Sequence, residues 1–258
     1  MEMIRNYHTH TCRCHHAYGA EEEYILRAIE RGVRTLGFSD HSTYLFPTSY
    51  VSTHRMAVPE IEDYVATLVA LREKYKDKIK IHIGFEVEYY PQCWDRTVEH
   101  FKDFGIEYLI LGQHYVGEEH LGAPSAFIAS DSEEKLCLYV ELVCRAMETG
   151  LISCLAHPDA IYFTGSDEVY GREMQKLIDS AVANDVPIEF NLMGFRKNRH
   201  YPKESFWKMV SKARAKVILG CDAHEPTDVA SPAELEMAQS FLDRVGIDNI
   251  VDELEFRI

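Results

Sequence analysis

The sequence predicts an α/β barrel built from seven βα units. Three observations carry this expectation. Short apolar runs alternate with longer amphipathic stretches along the whole chain, which is the pattern of a parallel sheet with right-handed crossovers. Histidines and carboxylates stand at the C-terminal ends of nearly all the apolar runs. In a barrel those ends share one mouth, whereas the outer strands of an open sheet are too far apart to share a site. Finally, 258 residues suit one such barrel over positions 1–258, and no linker, low-complexity tract or charge block divides them.

The elements follow in order. Ile4 to Tyr7 reads as a strand closed by His8-Thr9-His10. Glu21 to Arg31 sets Tyr24, Ile25, Ala28 and Ile29 among charges, with Gly32 as a stop, and predicts an amphipathic helix. Thr35 to Phe38 is a short strand running into Ser39-Asp40-His41, and a loop with Pro47 and Pro59 leads to a helix over Ile61 to Tyr75. Ile79 to Val87 is a strand carrying Glu86 and followed by Glu88. Thr97 to Phe104 is a helix, and Tyr108 to Leu111 a strand closing near His114. Glu133 to Thr149 is a long helix, then Leu151 to Ala156 a strand ending in His157-Pro158-Asp159. Arg172 to Ala183 (helix), Pro187 to Phe190 (strand, ending at Asn191), Lys203 to Ala215 (helix), Lys216 to Leu219 (strand, ending near Asp222) and Pro232 to Val245 (helix) complete the pattern.

Composition removes several function classes. The net charge of −15 repels phosphate backbones and argues against nucleic acid as the main partner. A small phosphorylated substrate stays open, because bound cations reverse the sign locally. No apolar run is long enough to span a membrane, and Met1 leads straight into a candidate strand without an export signal. The seven scattered cysteines form no disulfide framework, so a reducing cytoplasm is expected. Cys12-x-Cys14 has no second pair to complete a tetrahedral zinc site. Oligomeric state leaves no mark in the sequence.

Strand side chains alternate with period two, so His8 and His10 point the same way and suit one ion between them. Asp222 and His224 repeat that spacing at the end of another apolar run. Of thirteen histidines, seven lie at strand ends or just after them: His8, His10, His16, His41, His114, His157 and His224. With Glu86 and Asp222 they exceed what one ion needs, and a carboxylate can bridge two. Two or three ions are expected, of zinc, iron or manganese. Glu86 stands in Ile83-Gly84-Phe85-Glu86-Val87, where an unpaired buried charge would be costly. Glu88 and Asp40 are expected to support ligands rather than bind metal. His15, His54, His82, His100, His120 and His200 read as surface or internally satisfied residues.

Taken together, His8-Thr9-His10, His16, Ser39-Asp40-His41-Ser42, Gly84-Phe85-Glu86, Gly112-Gln113-His114-Tyr115, Ala156-His157-Pro158-Asp159 and Cys221-Asp222-Ala223-His224 resemble the PHP (polymerase and histidinol phosphatase) family, nearest its stand-alone histidinol-phosphate phosphatases. The resemblance runs in order along essentially the whole chain. It implies a distorted (β/α)7 TIM-like barrel with three divalent ions. His8, His10, Glu86 and Asp222 would share the first ion. Glu86 would bridge to a second, held by His114 and His157. His16, His41 and His224 would take the third; His16 is chosen over His15 by its spacing from His10 and by the following Ala17.

The implied activity is a phosphomonoesterase acting on L-histidinol phosphate in histidine biosynthesis, by in-line attack of a hydroxide bridging two ions, with Asp222 in proton transfer. Arg196, in the basic loop after strand six, matches the family position for a phosphate-binding arginine, and Arg55 is a second candidate. The chain departs from the pattern after His157, where Ala160-Ile161-Tyr162-Phe163 stands in place of an expected basic residue. The imidazole end of the substrate has candidate walls in Tyr44, Phe46, Tyr115, Tyr162 and Phe163. The alternatives are a PHP-type small-molecule phosphodiesterase or oligonucleotide exonuclease, and a non-catalytic accessory protein stabilised by metal.

Overall fold

The alternation of apolar side chains sets the faces of the sheet. In β3 (Lys80–Val87), Ile81, Ile83, Phe85 and Val87 enter the main apolar core, while Glu86 takes the opposite parity. In β7 (Val217–Gly220), Val217 and Leu219 pack outward and Ile218 packs into a smaller interior cluster with Tyr7, Tyr108, Ile110, Cys154 and Ala156. The outer core lies between sheet and helices. The inner cluster fills the barrel beneath the strand ends.

The computed structural model describes residues 1–258. The other strands are β1 (Arg5–Asn6), β2 (Thr35–His41), β4 (Tyr108–Leu111), β5 (Cys154–Leu155) and β6 (Ile188–Asn191). All seven are parallel and lie in chain order from β1 to β7. The ring closes only at its top, through a single bridge in which His10 N–H donates to Ala223 O at 2.9 Å. Lower down, the C-terminal segment fills the gap between β7 and β1. Val251 N–H donates to Val217 O at 2.8 Å, Arg5 pairs with Asp252, and Leu254 packs with Tyr7. The seven strands thus form a nearly closed, distorted barrel.

Helices follow every strand: α1 (Glu21–Glu30), α2 (Ile61–Tyr75), α3 (Trp94–Asp103), α4 (Glu133–Glu148), α5 (Asp167–Ala183), the single turn α6 (Met193–Arg196), α7 (Glu204–Ala213) and α8 (Pro232–Val245). Their ends are chemically marked. Three glutamates open α1, where the helix dipole favours negative charge. The Ser132 and Ser166 side chains cap α4 and α5, each worth about 1 kcal/mol.

Four elements differ from expectation by three residues or more; one of them, β2, stays extended to His41 instead of ending at Phe38. The α5 helix begins at Asp167, five residues before the expected Arg172, because Ser166 caps it and the helix tolerates Gly171. The α3 helix starts at Trp94 rather than Thr97, since Trp94 is buried in the main core and anchors the first turn. Strand β5 spans only two residues of the expected six; Gly150 (φ 73°) precedes it and His157 (φ 30°) follows, and both turn the chain out of the extended state. No helix is long and apolar enough to cross a membrane.

Candidate metal centre

The nine expected donors converge at the top of the barrel. Asn6, fully buried at the end of β1, pins the first of them. Its side-chain amide donates to Thr9 Oγ1 at 2.8 Å and to His8 O at 3.2 Å, and its carbonyl accepts from Cys221 N at 2.9 Å. The His8–His10 turn is thereby tied to the end of β7. His8 Nδ1 faces Glu189 Oε1 at 2.7 Å, and His10 Nδ1 faces Asp40 Oδ1 at 3.4 Å. If each Nδ1 carries the hydrogen, both Nε2 lone pairs look inward, and these two nitrogens are only 3.1 Å apart. Asp222 Oδ1 lies 3.1 Å from His10 Nε2 and 3.5 Å from His8 Nε2. These groups face one point and need a cation among them, a proton or a metal ion.

Glu86, 1 % exposed, forms the centre. Its Oε1 lies 2.9 Å from His157 Nε2 and 3.4 Å from His114 Nε2. Its Oε2 is 3.0 Å from His41 Nδ1 and 3.6 Å from His10 Nε2, yet no donor is aligned with it. A buried carboxylate oxygen without a donor is what a bridging ligand leaves when no ion is counted. Gly112 makes the room, because a Cβ there would sit 1.9 Å from Glu86 Oε1. In the third group, donor atoms of His16, His41 and His224 lie within 4.8 Å of one another. His16 Nδ1 faces Cys14 O at 2.7 Å, which turns Nε2 to the cavity. His15 sits in a left-handed turn (φ 68°).

The charges are arranged as a cation site requires. Burial would raise Glu86 and Asp222, but the surrounding histidines hold both carboxyls well below their ordinary values. Burial and the nearby His10 push His224 down to about 3, and also lower His16 and His41. Burial opposes the charged form of His10 as well, but hydrogen bonds to Asp222 and Asp40 raise it to about 9. Burial thus favours neutral imidazoles in the third group, whereas His8, against its burial, is raised by Glu189, Asp222 and Glu86. Two residues pay a backbone cost to reach the site: Asp222 (φ 47°) and His157 (φ 30°) are left-handed without being glycine, roughly 1–2 kcal/mol each.

Two supports, Glu189 and Asn191, were not among the expected residues, while Asp40 and Glu88 were. Glu189, 2 % exposed, orients His8, and its Oε2 accepts from His157 N at 3.2 Å and Asn191 Nδ2 at 2.9 Å. Asn191 Nδ2 also reaches Asp222 Oδ2 at 3.1 Å. Glu189 stands mid-strand between Ile188 and Phe190, so the buried-charge argument applied to Glu86 would have found it. Gly220 leaves its space; a Cβ there would lie 1.7 Å from Glu189 Oε1. Asp40 supports His10 rather than its neighbour His41, although the His41 N–H donates to it at 2.8 Å. Glu88 supports His114, accepting at 2.9 Å from Nδ1.

The structure places the two expected arginines differently. Arg196 does not line the cavity. Its guanidinium turns back to Glu234 (2.7 Å), Asp228 (3.0 Å) and the carbonyls of Cys221 (3.1 Å) and Asp222 (2.8 Å), because carboxylates of the β7–α8 connection and of the first turn of α8 lie within its reach. Arg55 borders the cavity, but its charge is answered by Glu88 and Glu119. The cations that line the cavity without a carboxylate partner are Lys197 and Arg199, from the same basic loop as Arg196. His54, read as a bystander, also lines it. The cavity above the donors measures about 490 Å³, the size for a small molecule. Of the candidate aromatic walls only Tyr115 borders it, joined by Tyr18 and Phe127. Tyr44 and Phe46 pack on Tyr90, Phe163 on Tyr170 and Tyr162 on His200.

A model of the PHP domain matches residues 6–193. The chain belongs to the PHP domain family. Among curated PHP relatives, a protein named as a probable histidinol-phosphatase in Deinococcus radiodurans is 27 % identical over 231 residues, covering 86 % of each chain. The histidinol-phosphatase of Bacillus subtilis is 22 % identical, over 93 % of this chain and 98 % of its own. Among solved structures, the histidinol phosphate phosphatase of Lactococcus lactis, crystallised with zinc, L-histidinol and phosphate, superposes with a TM-score of 0.73 at 15 % identity, over 99 % of this chain and all of that one. At that identity the likeness concerns the fold, and the PHP barrel is the fold both share.

Proposed function

We propose that the protein is a metal-dependent phosphomonoesterase that hydrolyses L-histidinol phosphate to L-histidinol and phosphate. The observation that carries the metal requirement is the meeting of His8 Nε2 and His10 Nε2 at 3.1 Å, beside Asp222 and the donor-less oxygen of Glu86. The substrate follows from the relatives named histidinol-phosphatase and from the cavity's size and charge. In this reading three ions share the donors: one would take His8, His10, Glu86 and Asp222, one Glu86, His114 and His157, and one His16, His41 and His224. Zinc is the first metal to test, given the ion bound by the Lactococcus enzyme. Bound divalent ions supply Lewis-acid charge and bring the pKa of water towards neutrality.

The chain's own residues do the rest. Lys197 and Arg199 stand at the mouth as unpaired cations and hold the phosphate in this reading, in place of Arg196. Asp222 lines the cavity and takes the proton of the attacking water in this reading. Phe127 stacks on the His114 ring, with centroids 5.6 Å apart and planes at 28°, and with Tyr115 offers an apolar wall to the organic part of the substrate. Asn191 and Glu189 keep Asp222 and His8 from turning.

The test is phosphate release from a panel of small phosphomonoesters by protein loaded separately with zinc, manganese and iron. The proposal expects kcat/KM for L-histidinol phosphate to exceed that for a generic aryl phosphate by orders of magnitude. Equal rates across the panel would refute the substrate and leave the centre standing. Turnover of bis-aryl diesters in preference to monoesters would refute the monoesterase reading.

A further inference from the structure

A buried relay of charges connects the rim of the barrel to one imidazole of the centre. Arg55 lies in the long connection between β2 and α2, only 3 % exposed. Its Nε donates to Glu119 Oε2 at 2.6 Å, and its Nη2 reaches Glu88 Oε1 and, at 3.2 Å, the Tyr90 hydroxyl. The guanidinium lies over the rings of Tyr44 (5.1 Å) and Tyr90 (5.8 Å). Glu119, in the connection between β4 and α4, uses its other oxygen to accept from Tyr50 OH at 2.9 Å and Ser52 Oγ at 2.6 Å. At the far end, the oxygen of Glu88 that takes Arg55 is the one facing His114 Nδ1 at 2.9 Å. His114 Nε2 then points to Glu86 Oε1 at 3.4 Å.

We propose that Arg55 is a positioning residue for His114, and that through Glu119 it makes the order of the two rim connections and the ligating orientation of that imidazole depend on each other. The inference rests on the reading of His114 as a metal ligand. Glu88 is buried and serves two cationic or donor partners with one oxygen. Without Arg55 its carboxylate keeps only the Tyr90 hydroxyl, on Oε2, to hold it against turning, and the hydrogen bond that selects the His114 tautomer loosens. A guanidinium suits the task because its planar fork holds donors at fixed angles, one to each carboxylate; an ammonium is a point charge and cannot hold both. Coupling of this kind is reciprocal. If the rim holds His114 ready for an ion, an ion on His114 must stabilise the rim.

The test uses the full-length protein with zinc ions as the probe. Release of zinc to a chelator is measured for wild type, Arg55→Lys, Glu119→Gln and His114→Ala, and hydrogen exchange of segment 45–58 is followed with and without zinc. In wild type, zinc should slow exchange in that segment. In Arg55→Lys and Glu119→Gln, one equivalent of zinc should leave about 10–100-fold more readily, and the zinc-dependent slowing should vanish. Glu119 touches no ring of the centre, so a purely local structural role would leave zinc release unmoved. Full zinc retention by His114→Ala would overturn the ligand reading itself. If His114→Ala loses its equivalent while both other variants retain zinc and keep the slowing, the coupling through Arg55 is overturned and the ligand reading survives.

Discussion

Glu189→Gln isolates what a single buried carboxylate does for a metal ligand. The substitution keeps the shape and removes the charge. In the native protein Oε1 faces His8 Nδ1 at 2.7 Å, and Oε2 accepts from His157 N and Asn191 Nδ2 at 3.2 and 2.9 Å. Both His8 and Glu189 are 1–2 % exposed, so water screens neither. A hydrogen bond to a charged group contributes about 1.5–3 kcal/mol and a neutral one about 0.5–1.5. If the glutamine turns its oxygen to His8, the difference is roughly 1–1.5 kcal/mol, which is about a tenfold loss of metal affinity. The amide nitrogen must then face two donors, leaving them unsatisfied at about 1–3 kcal/mol. That second cost falls on the fold with or without metal.

Two measurements separate the two costs. Zinc affinity by competition with a chromogenic chelator should fall about tenfold, consistent with the range for residues that support metal-bound histidines. Thermal unfolding of the metal-free variant should also fall. Zinc affinity within twofold of wild type would refute the claim that Glu189 sets the His8 ring, whatever happens to stability.

Other perturbations probe the centre and its surroundings. Gly112→Ala would place a methyl group 1.9 Å from Glu86 Oε1 and must displace that carboxylate; circular dichroism should remain native while bound zinc and phosphatase activity are lost, and a variant with full zinc would count against Glu86 as the bridge. Arg196→Ala removes a cation from between Asp228 and Glu234 and should cost about 3 kcal/mol of stability in urea titration. Arg199→Ala should instead leave the unfolding midpoint unchanged and raise KM for a phosphomonoester about tenfold, the equivalent of one lost charge-assisted hydrogen bond. The reverse pattern, a KM effect at Arg196 and a stability effect at Arg199, would restore the original assignment.

What the sequence determined by itself is whatever depends on local period and strand-end position. The β-α alternation, the barrel and the convergence of His8, His10, His16, His41, Glu86, His114, His157, Asp222 and His224 all follow from side chains that alternate along a strand and from strands that run the same way. Those relations hold for any chain with this pattern. Tertiary structure decided what depends on competition between distant partners. Arg196 carries the same charge as Arg199, but Glu234 and Asp228 approach it from α8 and its preceding turn and draw it away from the mouth. Arg55 is held from two other connections by Glu88 and Glu119. The length of β5 was set by where its neighbours offer backbone partners, and the seam between β1 and β7 was filled by a C-terminal segment whose side chains find apolar partners only once the barrel exists. An ion pair or a strand edge is a contest among all groups that can reach it, and reach is a property of the folded chain.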